Sequence, residues 1–200
     1  VMLMGDIDKY FHYDFAVTNG SIPCKDDNNN TKDIYASVTI KPFKNFNVKA
    51  TYNWGEYNPQ ALAGGTAPGV GVSKYMPMNR FVVGAWYNDP NGLDLRAEYG
   101  FMKSDKGGKT YVDEQGAYVL AGYHAGKFLP IVRWDMYKDD VNKTSAGCNY
   151  NRILVGCTYQ LFKNVKIQLN YGHFMYSDDV KNAGGLEKSE QVQLMGLFKF

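Results

Sequence analysis

Histidines, cysteines, paired acids and one glycine-lysine-threonine run are the residues in this 200-residue sequence that could do chemistry at a single site. Gly108-Lys109-Thr110 matches the end of a phosphate-cradling loop, but that loop needs its leading glycine where Lys103 stands, and a helix behind it. His12, His124 and His173 are isolated on separate segments, so no metal centre is expected. Cys24, Cys148 and Cys157 form no C-x-x-C and cannot all pair within the chain; they read as incidental thiols or at most one loop disulfide. For covalent catalysis, His173 and Ser177 are the nearest base and nucleophile, and they lack a third partner. No enzymatic activity and no cofactor is expected.

What remains is a set of charges at alternate positions, and these require strands to hold them. From Phe46 the apolar row Phe46, Val48, Ala50, Tyr52, Trp54 alternates with Asn47, Lys49, Thr51, Asn53. Ile34, Ala36, Val38, Ile40 alternate in the same way with Tyr35, Ser37, Thr39, Lys41, and Leu93, Leu95, Ala97, Tyr99, Phe101 with Asp94, Arg96, Glu98, Gly100. Near the end, Val165, Ile167, Leu169, Tyr171 oppose Lys166, Gln168, Asn170. The period is two throughout, which is that of β structure. Strands are expected at 9–19, 34–42, 46–55, 79–88, 92–103, 115–126, 128–138, 150–162, 165–176 and 188–200, with residues 1–4 the tail of an earlier one.

Connection lengths separate a soluble sandwich from a membrane barrel. Short turns around Gly5–Asp8, Phe43–Asn45, Asp89–Asn91, Gly126–Lys127 and Lys163–Asn164 alternate with long polar loops at 20–33, 56–78, 104–114, 139–149 and 177–187. Long loops at one end and tight turns at the other are the pattern of an outer-membrane barrel. The expected strands are close to the roughly 9–11 residues that cross the hydrocarbon when tilted. Phe46 and Trp54 sit about 20 Å apart along the membrane normal, close to the apolar band of about 25 Å. Phe43, Phe128, Phe162 and Phe198 mark a girdle on the turn side; Trp54, Phe101, Trp134 and Phe174 mark one on the loop side. The fold class is therefore all-β, an antiparallel transmembrane barrel with about ten or eleven strands present.

Composition agrees. The chain has 11 Phe, 16 Tyr, 3 Trp and 21 Gly, too aromatic for disorder and poor in strong helix formers. No run approaches the roughly 18 apolar residues of a spanning helix. A mean hydropathy of −0.41 averages an apolar outer face against a polar lumen and wet loops. The net charge of +2 gives no field that would argue for nucleic-acid binding.

Several pieces resemble the phosphate-selective porins O and P of Gram-negative outer membranes: Tyr13-Asp14-Phe15-Ala16-Val17-Thr18-Asn19-Gly20, Val38-Thr39-Ile40-Lys41-Pro42-Phe43, Pro130-Ile131-Val132-Arg133-Trp134-Asp135-Met136-Tyr137 and Asn164-Val165-Lys166-Ile167-Gln168-Leu169-Asn170-Tyr171. The terminal Gln193 to Phe200 is similar as well, and its closing Phe200 resembles the signal by which such barrels are recognised for assembly, with glycine at Gly196 where the pattern has it at Met195. The resemblance implies a sixteen-stranded, usually trimeric anion channel, of which this single domain over residues 1–200 would be the C-terminal portion, without the first strands. It also implies outer-membrane localisation, with long loops extracellular and the C-terminus periplasmic.

In such a barrel the polar rows face water and their charge sets selectivity. Alternation places Lys41, Lys49, Arg80, Arg96, Arg133, Arg152, Lys166 and Lys199 inside, against Asp14, Asp94, Glu98 and Asp135. That is a net basic lining, suited to small anions such as phosphate. The same side chains could instead form wall ladders, Arg96 with Glu98 and Arg133 with Asp135. The 56–78 loop, rich in Gly and Pro, could fold inward as a constriction or stay external. Expected partners are small anions, outer-membrane lipid and lipopolysaccharide, and two further copies of the chain. Asp26-Asp27, Asp139-Asp140 and Asp178-Asp179 read as solvated loop acids. The alternative function is a plugged or non-conducting barrel that acts as a scaffold for other outer-membrane proteins.

Overall fold

The structure, a computed structural model, describes residues 1–18, 32–57, 76–105, 111–139, 149–182 and 185–199. Among them eleven strands follow one another: β1 (Met2–Ile7), β2 (Phe11–Thr18), β3 (Asp33–Phe43), β4 (Phe46–Tyr57), β5 (Met76–Asn88), β6 (Leu93–Asp105), β7 (Tyr111–Tyr123), β8 (Phe128–Lys138), β9 (Tyr150–Phe162), β10 (Val165–Tyr176) and β11 (Lys188–Phe198). A short helix, α1 (Asp178–Asn182), sits between β10 and β11, in a stretch the period-two pattern reads as plain loop. There Asp178 Oδ1 accepts from Lys181 Nζ (3.2 Å), which holds the ammonium's pKa above its ordinary value. Every strand pairs antiparallel with its chain neighbours in the order β1 to β11, so β1 and β11 are the two edges of one sheet.

Turn chemistry fixes the short end. Phe43 pairs with Phe46 across Lys44-Asn45, where Asn45 takes φ 67°, and the two phenyl rings stack at 4.8 Å over the turn. Asp89 closes the β5–β6 turn twice, through its carbonyl to Gly92 N (3.1 Å) and its carboxylate to Asn91 N (3.0 Å). Between β7 and β8 the chain turns at His124–Lys127 with Gly126 at φ 63°. Strand β7 runs 111–123 and not 115–126: the polar Asp113-Glu114 hides its start, and the turn at His124–Lys127 ends it early.

Side-chain polarity is inverted relative to a soluble sheet. Among the described residues the buried polar side chains are Ser37, Thr39, Asp94, Asp135 and Asn170, while the buried hydrophobic ones are only Ala16 and Leu154. All of these lie on one face, the side about which the sheet curves. The opposite face exposes rows such as Leu95, Tyr99 and Phe101, or Leu169, Val192 and Leu194, the last 71% exposed. Burying charge while exposing leucine is favourable only where the outer solvent is hydrocarbon and the inner one is water. On β10 the outward apolar row ends at Tyr171; His173 then meets Glu190 (2.7 Å). From Val165 to that point the rise is about 20 Å at ordinary strand tilt. Lys103 and Asp113 (3.9 Å) end the outward rows of β6 and β7 at the same side.

One close approach requires glycine. A Cβ on Gly156 would collide with Asn170 Oδ1 and come within 3.1 Å of Leu169 O. Asn170 is 5% exposed and accepts from Gln168 Nε2 (3.0 Å), so it cannot swing away without losing that bond. Gly156→Ala should cost about 1–3 kcal/mol, read as a lower denaturant midpoint of the folded barrel. A midpoint equal to the parent's would show Asn170 free to move.

Candidate pore wall

The register assigns each side chain to a face. One row perpendicular to the strands runs Lys49–Gly84–Glu98–Tyr118–Asp135–Arg152–Phe174. The next runs Asn47–Trp86–Arg96–Leu120–Arg133–Leu154–Gly172. Asp14 opposite Ser37, Arg80 opposite Met102, Asp94 opposite Gly122 and Lys166 opposite Gln160 share this face. Lys41 and Lys199 continue it by alternation at the turn-side rim, where Lys199 N donates to Asn164 O (2.9 Å). All twelve charges assigned inward by alternation thus share the concave face.

Three acids join them. Asp6 pairs with His12, Asp33 with Thr18 and Glu114 with Met102, all on the same face. Each lies at a strand end, where alternation alone makes no assignment: Asp6 falls in an expected turn, and Asp33 and Glu114 lie one residue before expected strands. Extending each alternation by a single pair would have found them. The wall consequently carries eight cations against seven carboxylates, and the eight-against-four balance is corrected. Phe174 is a second correction. Its partner is Arg152, so it faces inward with Tyr118, Tyr137, Tyr150 and Tyr176 and takes no part in the loop-side girdle.

Pairing distributes this charge unevenly. Asp94, 2% exposed, accepts two parallel bonds from Arg96 Nε and Nη2, each 2.8 Å. The expected Arg96–Glu98 rung is thus replaced: two residues along the strand in the other direction, Asp94 offers both oxygens to one planar guanidinium. Asp135, 5% exposed, is shared, taking Arg133 Nε at 2.7 Å on Oδ1 and Arg152 Nε at 3.0 Å on Oδ2. That triad keeps one net positive charge. Arg80 Nε reaches only Met102 Sδ (3.2 Å), and neither it nor Lys49 or Lys166 forms an ion pair among the described residues. A hollow of ≈ 410 Å³ opens on this face beside Arg80, Glu98, Tyr118, Arg133, Tyr137 and Tyr150.

Two of the three histidines have carboxylate partners that alternation does not reveal. His12 is bracketed by Asp6 (2.9 Å) and Asp14 (3.1 Å), and Asp14 also accepts from Ser37 Oγ (3.0 Å). His173 points outward to Glu190, and Ser177 Oγ has no hydrogen-bond partner among the described residues, so the two form no nucleophile–base pair. No group of three or more His, Cys, Asp or Glu is arranged to hold a metal among the described residues. Cys24, Cys148, Gly108-Lys109-Thr110, Asp26-Asp27, Asp140 and most of the 56–78 loop lie outside the described residues; Cys157 is a free thiol. No described helix is long and apolar enough to cross a membrane, which says nothing of strands.

An eleven-stranded antiparallel wall with apolar rows outside and charges inside is the architecture of an outer-membrane porin barrel, and solved structures share it. The anion-selective porin from Comamonas acidovorans superposes with a TM-score of 0.65 at 15% identity over 98% of this chain and 54% of its own. Salmonella typhi OmpF, solved with daunomycin, gives 0.61 at 19% over 95% of this chain and 56% of its own. The trimer form of OmpT, an outer membrane protein of Vibrio cholerae, gives 0.57 at 14% over 98% and 61%. The chain therefore spans little more than half the length of these proteins, and at such identities the likeness establishes the fold. No protein-family model matches the sequence, and no curated protein does.

Proposed function

We propose that this chain forms part of the wall of an outer-membrane porin, a passive diffusion channel that favours small anions such as phosphate. The observation that carries the reading is the inverted polarity of the sheet, with Asp94 and Asp135 buried on the concave face beneath their more exposed arginines and leucine, valine and aromatics exposed outside. Two free edges support further strands completing the barrel. The porin resemblance and the trimeric form of one similar protein support a homotrimer in the outer membrane. Its long loops would face outward, near lipopolysaccharide, with its C-terminus in the periplasm. The mechanism is diffusion past fixed charge, without chemistry. Acids nearly match cations in number, so anion preference rests on where they sit: Arg80 and Lys49 make no close ion pair among the described residues, and two arginines share Asp135. In a low-dielectric wall such charges focus the field.

The test is planar-bilayer conductance of the complete protein, with reversal potential under a salt gradient. An anion-selective reversal is expected. Neutralising both cations in Lys49→Gln/Arg80→Gln should reduce it more than Arg96→Gln, because the double variant removes two positive charges from the lumen and the single variant one. A cation-selective parent would overturn the anion assignment. Silence over many insertions would overturn the channel and favour the scaffold.

A further inference from the structure

We propose that the inward rings and arginines of β7–β10 form a binding track for six-membered sugar rings carrying one phosphate, an inference that rests on the channel reading above. Tyr150 is its centre, with ring centroids 5.7 Å from Tyr137, 5.3 Å from Phe174 and 6.3 Å from Tyr176. Phe174 and Tyr176 stack nearly parallel, at 12°. Aromatic surface facing a water-filled lumen is unfavourable in the empty channel, so a continuous strip of it in one place points to a solute that covers it. The carbon–hydrogen faces of a pyranose are such a cover, because rings stack on them while the edge hydroxyls stay free to hydrogen-bond.

Charge completes the site. Arg133 Cζ lies 4.2 Å from the Tyr118 centroid and Arg152 Cζ 5.2 Å from that of Phe174, so each guanidinium is seated on a ring. Both are also held by Asp135, which fixes their direction and leaves the triad one positive charge for the phosphate. The adjoining hollow of ≈ 410 Å³ is within the range of small-molecule sites, about 300–1,000 Å³. Glu98 lines it and makes no ion pair among the described residues; it is an acceptor for sugar hydroxyls. An aromatic carboxylate would stack and pair as well but would give that acceptor nothing, which favours the polyol ring.

The test compares glucose 6-phosphate with glucose and with inorganic phosphate as blockers of the open channel, and as titrants of the detergent-solubilised complete protein by calorimetry. Glucose 6-phosphate should half-saturate at a concentration about tenfold below either control. Tyr150→Leu, and independently Phe174→Leu, should remove most of that advantage while leaving inorganic phosphate unchanged. Equal affinities for glucose 6-phosphate and inorganic phosphate, or no change in either variant, would overturn the track and leave the channel standing. Absence of conductance in the protein without any blocker would overturn the channel; the calorimetric comparison still decides whether the rings bind the solute.

Discussion

Asp135→Asn is expected to destabilise the folded barrel by about 3 kcal/mol and to shift the reversal potential further toward anion preference. The side chain is 5% exposed and accepts from two guanidiniums, Arg133 on one oxygen and Arg152 on the other. Asparagine has nearly the same shape, so packing is unchanged. One of its oxygens, however, becomes an NH₂ that faces an arginine N–H, and the triad's charge rises from one to two. Removing one partner of a buried pair is costly because the other charge is left uncompensated; here two are left. The measurement is the guanidinium midpoint in lipid vesicles, with the double variant Asp135→Asn/Arg152→Gln as control. It should recover part of the loss, since it restores the original net charge. If the single variant matched the parent's midpoint, lumen water would be solvating both arginines fully and the triad would have no structural role.

How much of this could be read from the residues follows from the physics of alternation. A strand with one apolar face announces itself, and alternation puts the eight cations and four acids on the face where the register also places them, because the apolar row of each strand fixes its phase. Strand ends carry no such constraint: Asp6, Asp33 and Glu114 escaped there, and with them the charge balance. Partner choice escaped for another reason. Asp94 and Glu98 are each two residues from Arg96, and only the fit of a short, buried carboxylate to a planar fork separates them. Residue type alone puts Phe174 in a girdle, although Val165, Ile167, Leu169 and Tyr171 set the opposite phase. Cross-strand distances, such as those that gather Tyr137, Tyr150 and Phe174, depend on register between strands; no single strand's pattern contains them.

The two faces make opposite demands on a new charge. Val155, at the middle of β9, is 50% exposed on the outward face between Val132 and Tyr171. Thr51 on β4 faces inward between Ser37 and Val82. If the exposed apolar rows contact hydrocarbon, Val155→Arg should cost about 2–4 kcal/mol, since no neighbour on that row can pair with it and the interface is too far for the side chain to reach. Thr51→Lys should cost within about 0.5 kcal/mol, because water reaches it. Both are read as shifts in folding free energy into lipid vesicles. The comparison is discriminating because a soluble sheet would reverse it: there an arginine on an exposed row is harmless and a lysine on the buried face is not. Equal costs for the two, or a larger one at Thr51, would mean that the leucine and valine rows are covered by protein and not by lipid, and the membrane assignment would fall with them.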